Sequence, residues 1–121
     1  MSYVDGFIIP IATKNLAAYR RVARIACKVW MDHGAVDYKE CVGDDLKPSF
    51  GVPFTKISAA KKGETVVFAY IVYKSRKHRD QVNAKVMQDP RLAKLMKPGA
   101  MPFDMKRLSY GGFKTIVGDS R

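Results

Sequence analysis

Six residues in this chain have types and positions suited to chemistry: Arg79, His33, Glu40, Trp30, Asn83 and Asp104. Arg79, Val82, Asn83 and Val86 recur at i, i+3, i+4 and i+7, which puts the Arg79 guanidinium within an apolar helical stripe. An unpaired buried guanidinium is very costly, so a carboxylate must meet it. Glu40 is the leading candidate, with Asp5 and Asp104 as the others. The preferred reading is an ion pair, or a packed stem with its head in water, that fixes helix on sheet. The functional reading is a guanidinium at a pocket floor, awaiting a carboxylate or enolate ligand, with Trp30, Asn83 and Asp104 as further ligand contacts.

His33 follows Trp30 by about one turn, and an imidazole there could bind or deprotonate a planar ligand. The plainer alternative is that it satisfies the helix C-terminus or a strand carbonyl. Glu40 shares a strand face with Val36, Tyr38 and Val42. An acid among apolar neighbours has a raised pKa or a charged partner, so Glu40 is either the partner of Arg79 or a general base. The catalytic expectation therefore rests on His33 and Glu40. Met101-Pro102-Phe103-Asp104 is either a lid or dimer-contact loop, or a rigid aromatic turn. Asp44-Asp45 is too small a set for a metal, and no phosphate loop, nucleophile elbow, paired-cysteine motif or HExxH is present. No metal and no cofactor is expected.

These residues need positioning elements. A strand over Tyr3–Ile11 stops at Pro10, and Thr13 can cap a helix over Asn15–His33. Leu16, Tyr19, Ala23, Ala26, Cys27, Trp30 and His33 form its inward stripe, and Gly34 closes it. Ala35–Val42 is a second strand, followed by an irregular stretch to about Thr55 and a short turn at Ile57–Ala60. Thr65–Tyr73 is a third strand, apolar on both faces: Val66, Phe68, Tyr70 and Val72 need one cover, and Val67, Ala69, Ile71 and Tyr73 another. Ser75 caps a second helix to Gln88, Asp89-Pro90 ends it, and Arg91–Lys97 adds a turn. Met105–Val117 is the last strand, where Gly111-Gly112 indicates a bulge or a close backbone approach.

This order, over one domain spanning residues 1–121, gives an α+β fold of the ferredoxin-like βαββαβ plan, an antiparallel sheet with both helices on one face. The bare face then meets a second copy, so a homodimer through the sheet, a dimeric α+β barrel, is expected.

Composition bounds the function classes. The 22 lysines and arginines against 11 acids give a net charge of +11, which raises nucleic acid as a partner. The charge is spread over Arg20, Arg21, Arg24 and Lys28 on one helix and Arg76, Lys77, Arg79 and Lys85 on another, so a solvated basic surface is preferred. Phe68–Tyr73 imitates part of an RNA-recognition strand, but Val66-Val67 replace its basic residue and glycine. No apolar run reaches the roughly 20 residues a membrane span needs, and no leader is visible. A cytoplasmic protein with Cys27 and Cys41 reduced and buried is expected.

Five motifs carry a family resemblance: Trp30-x-x-His33-Gly34-Ala35, Glu40-Cys41-Val42-Gly43-Asp44-Asp45, Ser75-Arg76-x-x-Arg79-Asp80-x-x-Asn83, Asp89-Pro90-Arg91, and Met101-Pro102-Phe103-Asp104 continuing to Phe113. Together they resemble domain of unknown function 1428, the YbaA-like bacterial family. The resemblance implies a dimeric α+β barrel akin to cofactor-free monooxygenases, haem-degrading enzymes and YciI-like proteins. Haem degraders usually carry tryptophan and histidine on the second helix, and here neither faces inward there. The expectation is a pocket between sheet and helices for a planar or carboxylated small molecule, with monooxygenase-like or isomerase-like activity. A basic RNA-binding protein is the alternative.

Overall fold

The computed structural model describes residues 1–119. Four strands, β1 (Tyr3–Ala12), β2 (Asp37–Val42), β3 (Glu64–Tyr73) and β4 (Ser109–Lys114), form one sheet. Its order is β2-β3-β1-β4 with every neighbour antiparallel, the ferredoxin-like arrangement. The helices are α1 (Leu16–Asp32), the short α2 (Phe54–Ile57), α3 (Arg76–Val86) and α4 (Pro90–Leu95).

β1 and β3 pair along ten residues, from Tyr3 opposite Tyr73 to Ala12 opposite Glu64. Strand alternation then sorts their side chains. Ile9, Ile11 and Val67 pack with Tyr19 and Ala23 of α1. Ile71 and Tyr73 pack with Val29 of α1, Val82 and Val86 of α3, and Leu92 and Leu95 of α4. The opposite row is less covered: Val66 is buried, yet Phe68 is 45% exposed, and on β4 Phe113 is 62% exposed. Phe54 of α2 meets Phe68 edge-on at 6.2 Å.

Several local expectations are corrected. Val29, absent from the predicted stripe, is wholly buried, because α4 covers a flank of α1 that a two-helix layer would leave open. Thr13 does not cap α1. It begins a 3-10 turn, Thr13–Asn15, and no side chain caps the helix. Ser75 does cap α3, its hydroxyl accepting from the His78 amide at 3.0 Å, and Gly34 turns the chain after α1 at φ +110°. The last strand begins only at Ser109, since Met105–Arg107 wind into a 3-10 turn that Asp104 caps. The register across Gly111-Gly112 is unbroken, so there is no bulge. Gly112 serves close approach instead: a Cβ there would lie 2.8 Å from a Tyr3 ring carbon. Cys41 alternates away from Glu40 onto the less covered face and is exposed, not core.

Two ion pairs tie the layers. Arg79 of α3 donates to the buried carboxylate of Asp5 on β1 at 2.8 Å, and its Nε reaches Asp80 at 2.7 Å. The Tyr3 ring lies 4.9 Å from the guanidinium carbon. Asp5, rather than Glu40, is therefore the acid that meets Arg79. Arg107, just before β4, forks onto Glu64 of β3 at 2.7 and 2.8 Å and also donates to the Ala59 carbonyl. That clamp holds the 101–108 segment against the sheet.

Each pair generates a prediction. Arg79→Met leaves Asp5 buried without a cation and should cost about 3 kcal/mol in urea unfolding. Asp5→Asn in the same chain should recover part of that loss, because no buried charge is then stranded. Glu64 is held down at about 2, first by Arg107 and then by the Lys61 amide. A depressed folded pKa stabilises above the ordinary value of 4.5 and ceases to as pH falls through the folded one. The melting temperature of Arg107→Gln should therefore lie below wild type at pH 7, with the gap closing between pH 4.5 and about 2.

Candidate active site

Between α1 and the sheet lies a cavity of about 150 Å³. Its floor is Phe7 and Ile9 of β1 with Ala69 and Ile71 of β3, and its helical wall includes Tyr19, Ala23, Ala26 and Trp30. Met101, Phe103, Met105 and Leu108 form the roof. The roof is fixed by three contacts. Phe103 meets the Tyr19 ring edge-on at 5.7 Å, Asn15 donates to the Pro102 carbonyl at 3.2 Å, and the Arg107 clamp lies just beyond.

One ionisable acid lines this apolar space, Glu40 of β2. Its two oxygens are taken by two phenols: Tyr19 donates to Oε1 at 2.6 Å and Tyr38 to Oε2 at 2.8 Å. Tyr38 reaches Glu40 because residues i and i+2 of a strand share a face, and Tyr19 reaches it across the helix–sheet interface. Burial, and then the neighbouring Glu40 charge, push both phenols well above the ordinary tyrosine range. They are thus neutral hydrogen donors at any working pH. Among the described residues no cationic side chain lines the cavity, and the side chains that hold the carboxylate there are the two neutral phenols. A carboxylate in that setting can accept a proton from a ligand, and a phenol that then turns away from the protonated carboxyl can donate its one hydrogen to a developing oxyanion.

A wider groove of about 450 Å³ lies on the other side of Glu40. It shares Tyr19, Ala23 and Glu40 with the cavity and adds Leu16, Ala17, Arg20, Cys41, Val42 and Val67.

The expected site residues divide. Trp30 and Glu40 both line the cavity. Asn83 stands behind Trp30, its carbonyl oxygen accepting from the indole at 3.0 Å and from Tyr73 at 3.3 Å. Arg79 does not line the cavity, and its guanidinium is engaged by Asp5 and Asp80. His33 lies at the far end of α1, hydrogen-bonded through Nε2 to Asp89 at 2.8 Å. Asp89 also takes the Arg91 guanidinium and caps α4 through the Arg91 amide, so His33 belongs to a cluster joining α1 to α4. Asp104 is exposed and accepts from the Lys106 amide at 2.9 Å. In the sequence Tyr19 and Tyr38 read as packing residues, whereas Met101 and Phe103 belong to the segment expected as a lid, dimer-contact loop or rigid aromatic turn and here roof the cavity with Met105 and Leu108. The signal that could have found Tyr38 was its i, i+2 spacing from Glu40.

Among the described residues, no group of three or more His, Cys, Asp or Glu side chains is placed to hold a metal ion. No helix among them is long and apolar enough to cross a membrane.

Comparisons with known proteins agree with this architecture. The chain is 37% identical over 119 residues to the uncharacterized protein YbaA of Escherichia coli K12, covering 98% of this chain and all of that one. YbaA of Shigella flexneri matches to the same extent. Among solved structures, a NIPSNAP domain protein from Burkholderia xenovorans superposes with TM-score 0.57 at 10% identity, covering 97% of this chain and 99% of that one. A nipsnap family protein of unknown function from Agrobacterium tumefaciens gives TM-score 0.56 at 15% identity, with coverage of 94% and 87%. At such identities these two share the fold and nothing more is carried over. The family model described as protein of unknown function (DUF1428) matches residues 2–105, and the chain belongs to that family.

Proposed function

We propose that the cavity beside Glu40 binds one small planar molecule and that Glu40 takes a proton from it, an isomerase-like activity. The carrying observation is the Glu40 carboxylate, held by Tyr19 and Tyr38 at 2.6 and 2.8 Å on the wall of an otherwise apolar cavity. Cavity size supports a small ligand. Roughly 150 Å³ of apolar space accommodates benzene, so a single ring fits and a haem does not. The ring would stand among Phe7, Trp30 and Phe103, with its acidic C–H or O–H toward Glu40. A monooxygenase-like activity would share this first proton removal and add dioxygen to the resulting carbanion.

Arg79 is no anion anchor in this reading, because Asp5 already neutralises it. Trp30 and Asn83 contribute differently: the indole is a cavity wall that Asn83 holds in place. His33 and Asp104 play no part.

The protein would work as a homodimer joined through the less covered sheet face. Val4, Ile8, Phe68, Tyr70 and Phe113 line one apolar depression there, and exposed aromatic rings gathered on a sheet face, Phe68 and Phe113 among them, support an association site. RNA binding is the competing use of that face. Against it, the Phe68 and Tyr70 rings and the basic row Arg20, Arg24 and Lys28 lie on opposite layers, so one strand could not use both.

Three outcomes are expected. Glu40→Gln should lower proton-exchange turnover of any bound substrate by about 10² to 10⁴, while Tyr38→Phe should lower it less and leave folding intact. Full activity in Glu40→Gln would remove Glu40 from the chemistry. Light scattering should give a dimer for wild type and a smaller species for Phe68→Asp with Phe113→Lys. A stable wild-type monomer that binds short RNA through Phe68 and Tyr70 would favour the competing use.

A further inference from the structure

We infer that the substrate class is an aryl 2-oxo acid, a single ring joined through an acidic methylene to a ketone and a terminal carboxylate. The inference rests on the proposed role of Glu40 and extends it to the groove outside. The cavity and the groove share Tyr19, Ala23 and Glu40, so these three residues form the partition between an apolar compartment and a wider, more polar one, with the 2.6 Å Tyr19–Glu40 hydrogen bond across it. Among the described residues, Arg20 is the one cationic side chain lining either space. It lies four residues before Arg24 on α1 and makes no ion pair among those residues, unlike Arg79, Arg91 and Arg107.

This arrangement orders a ligand. A neutral ring belongs in the inner cavity, where the polar groups are two phenols and a carboxylate, and where no described cation offsets the repulsion of a second anion by Glu40. An anion belongs outside, at Arg20. The atoms joining the two must pass between Tyr19 and Glu40, parting their hydrogen bond, so the acidic position should lie between ring and carboxylate. A benzylic methylene next to a ketone meets that requirement. Glu40 removes one of its protons, and the C–H electron pair forms the carbon–carbon double bond of an enolate. The ketone oxygen takes the negative charge, and the Tyr19 or Tyr38 hydroxyl, turning from the now protonated Glu40, donates its hydrogen bond to it. Glu40 then returns the same proton to that oxygen, giving the enol. Nothing is oxidised or reduced, and no co-reactant is needed.

Phenylpyruvate and phenylacetone test this as a matched pair, since the second replaces the carboxylate by a methyl group. Enol formation is read by near-ultraviolet absorbance, and loss of benzylic deuterium by NMR. Wild type should prefer phenylpyruvate in kcat/KM by tenfold or more. Arg20→Gln should reduce that preference about tenfold, mostly through KM for phenylpyruvate, and Arg20→Lys should restore part of it. Glu40→Gln should abolish exchange with both compounds. Equal handling of the two compounds by wild type, or an unchanged ratio in Arg20→Gln, would overturn the aryl oxo acid assignment while leaving Glu40 as a base. Exchange with neither compound, together with no binding of 3-phenylpropanoate by calorimetry, would overturn both.

Discussion

The ten-residue pairing of β1 with β3 is the constraint on which the rest of this structure depends. These central strands are apolar on both faces, and alternation makes the division strict, because a slip of one residue would exchange the two rows. Asp5 lies in the covered row opposite Ile71, so a charge is built into the helix-facing layer at a fixed place. Arg79 of α3 must come to it, which orients that helix. Tyr3, opposite Tyr73 and Lys114, adds its ring to the same guanidinium and leaves room on β4 only for glycine at Gly112. Sheet register, helix placement and the small residues of β4 are therefore one linked condition.

The cavity follows from that arrangement. α1 is anchored at its C-terminal half by Val29 among α3, α4 and β3, and by the His33–Asp89 contact. Its middle carries Ala23 and Ala26, whose small side chains leave space above Ala69. Large residues from the 101–108 segment roof that space, held by Arg107 on Glu64. A carboxylate placed there would be expensive without partners. The phenols of Tyr19 and Tyr38 offset that cost without a cation, and so keep the carboxylate available as an acceptor in a way that an arginine partner would not.

Much of the fold was legible because period-2 and period-3.6 patterns report which faces are buried, and the central strand with its two apolar rows needed no further information. The site was less legible for a physical reason. Arg79 could be recognised as a charge in need of a partner, but the choice among Asp5, Glu40 and Asp104 depends on strand order and register. The β2-β3-β1-β4 order puts β1 under α3 and leaves β2 at the edge beneath α1, so Asp5 meets the guanidinium and Glu40 meets the phenols. A tyrosine on an apolar stripe looks like packing until its hydroxyl has somewhere to go. Tyr19 illustrates this: its ring is core, and its function as a donor exists only once Glu40 arrives from twenty-one residues away. Val29 was missed because α4 was not foreseen as a covering element.

The separation of the two ionic systems carries the functional argument. The cluster of His33, Asp89, Arg91 and Asp32 closes on itself: Arg91 donates to both Asp32 and Asp89, and His33 to Asp89. Hydrogen bonds from Arg91, and then from His33, hold Asp89 well below the usual carboxylate range, as expected for an acid whose lone pairs are all engaged. Such a group anchors helices and is a poor proton acceptor. Glu40 has the opposite surroundings, with neutral donors, apolar walls and empty space on one side. Of the two acids that lie between helix and sheet, Asp5 is neutralised by Arg79 and Glu40 is not. A protein selected only for stability would gain little from an acid half-buried against an apolar cavity with no ion-pair partner. That imbalance is the physical ground on which chemistry at Glu40 is proposed.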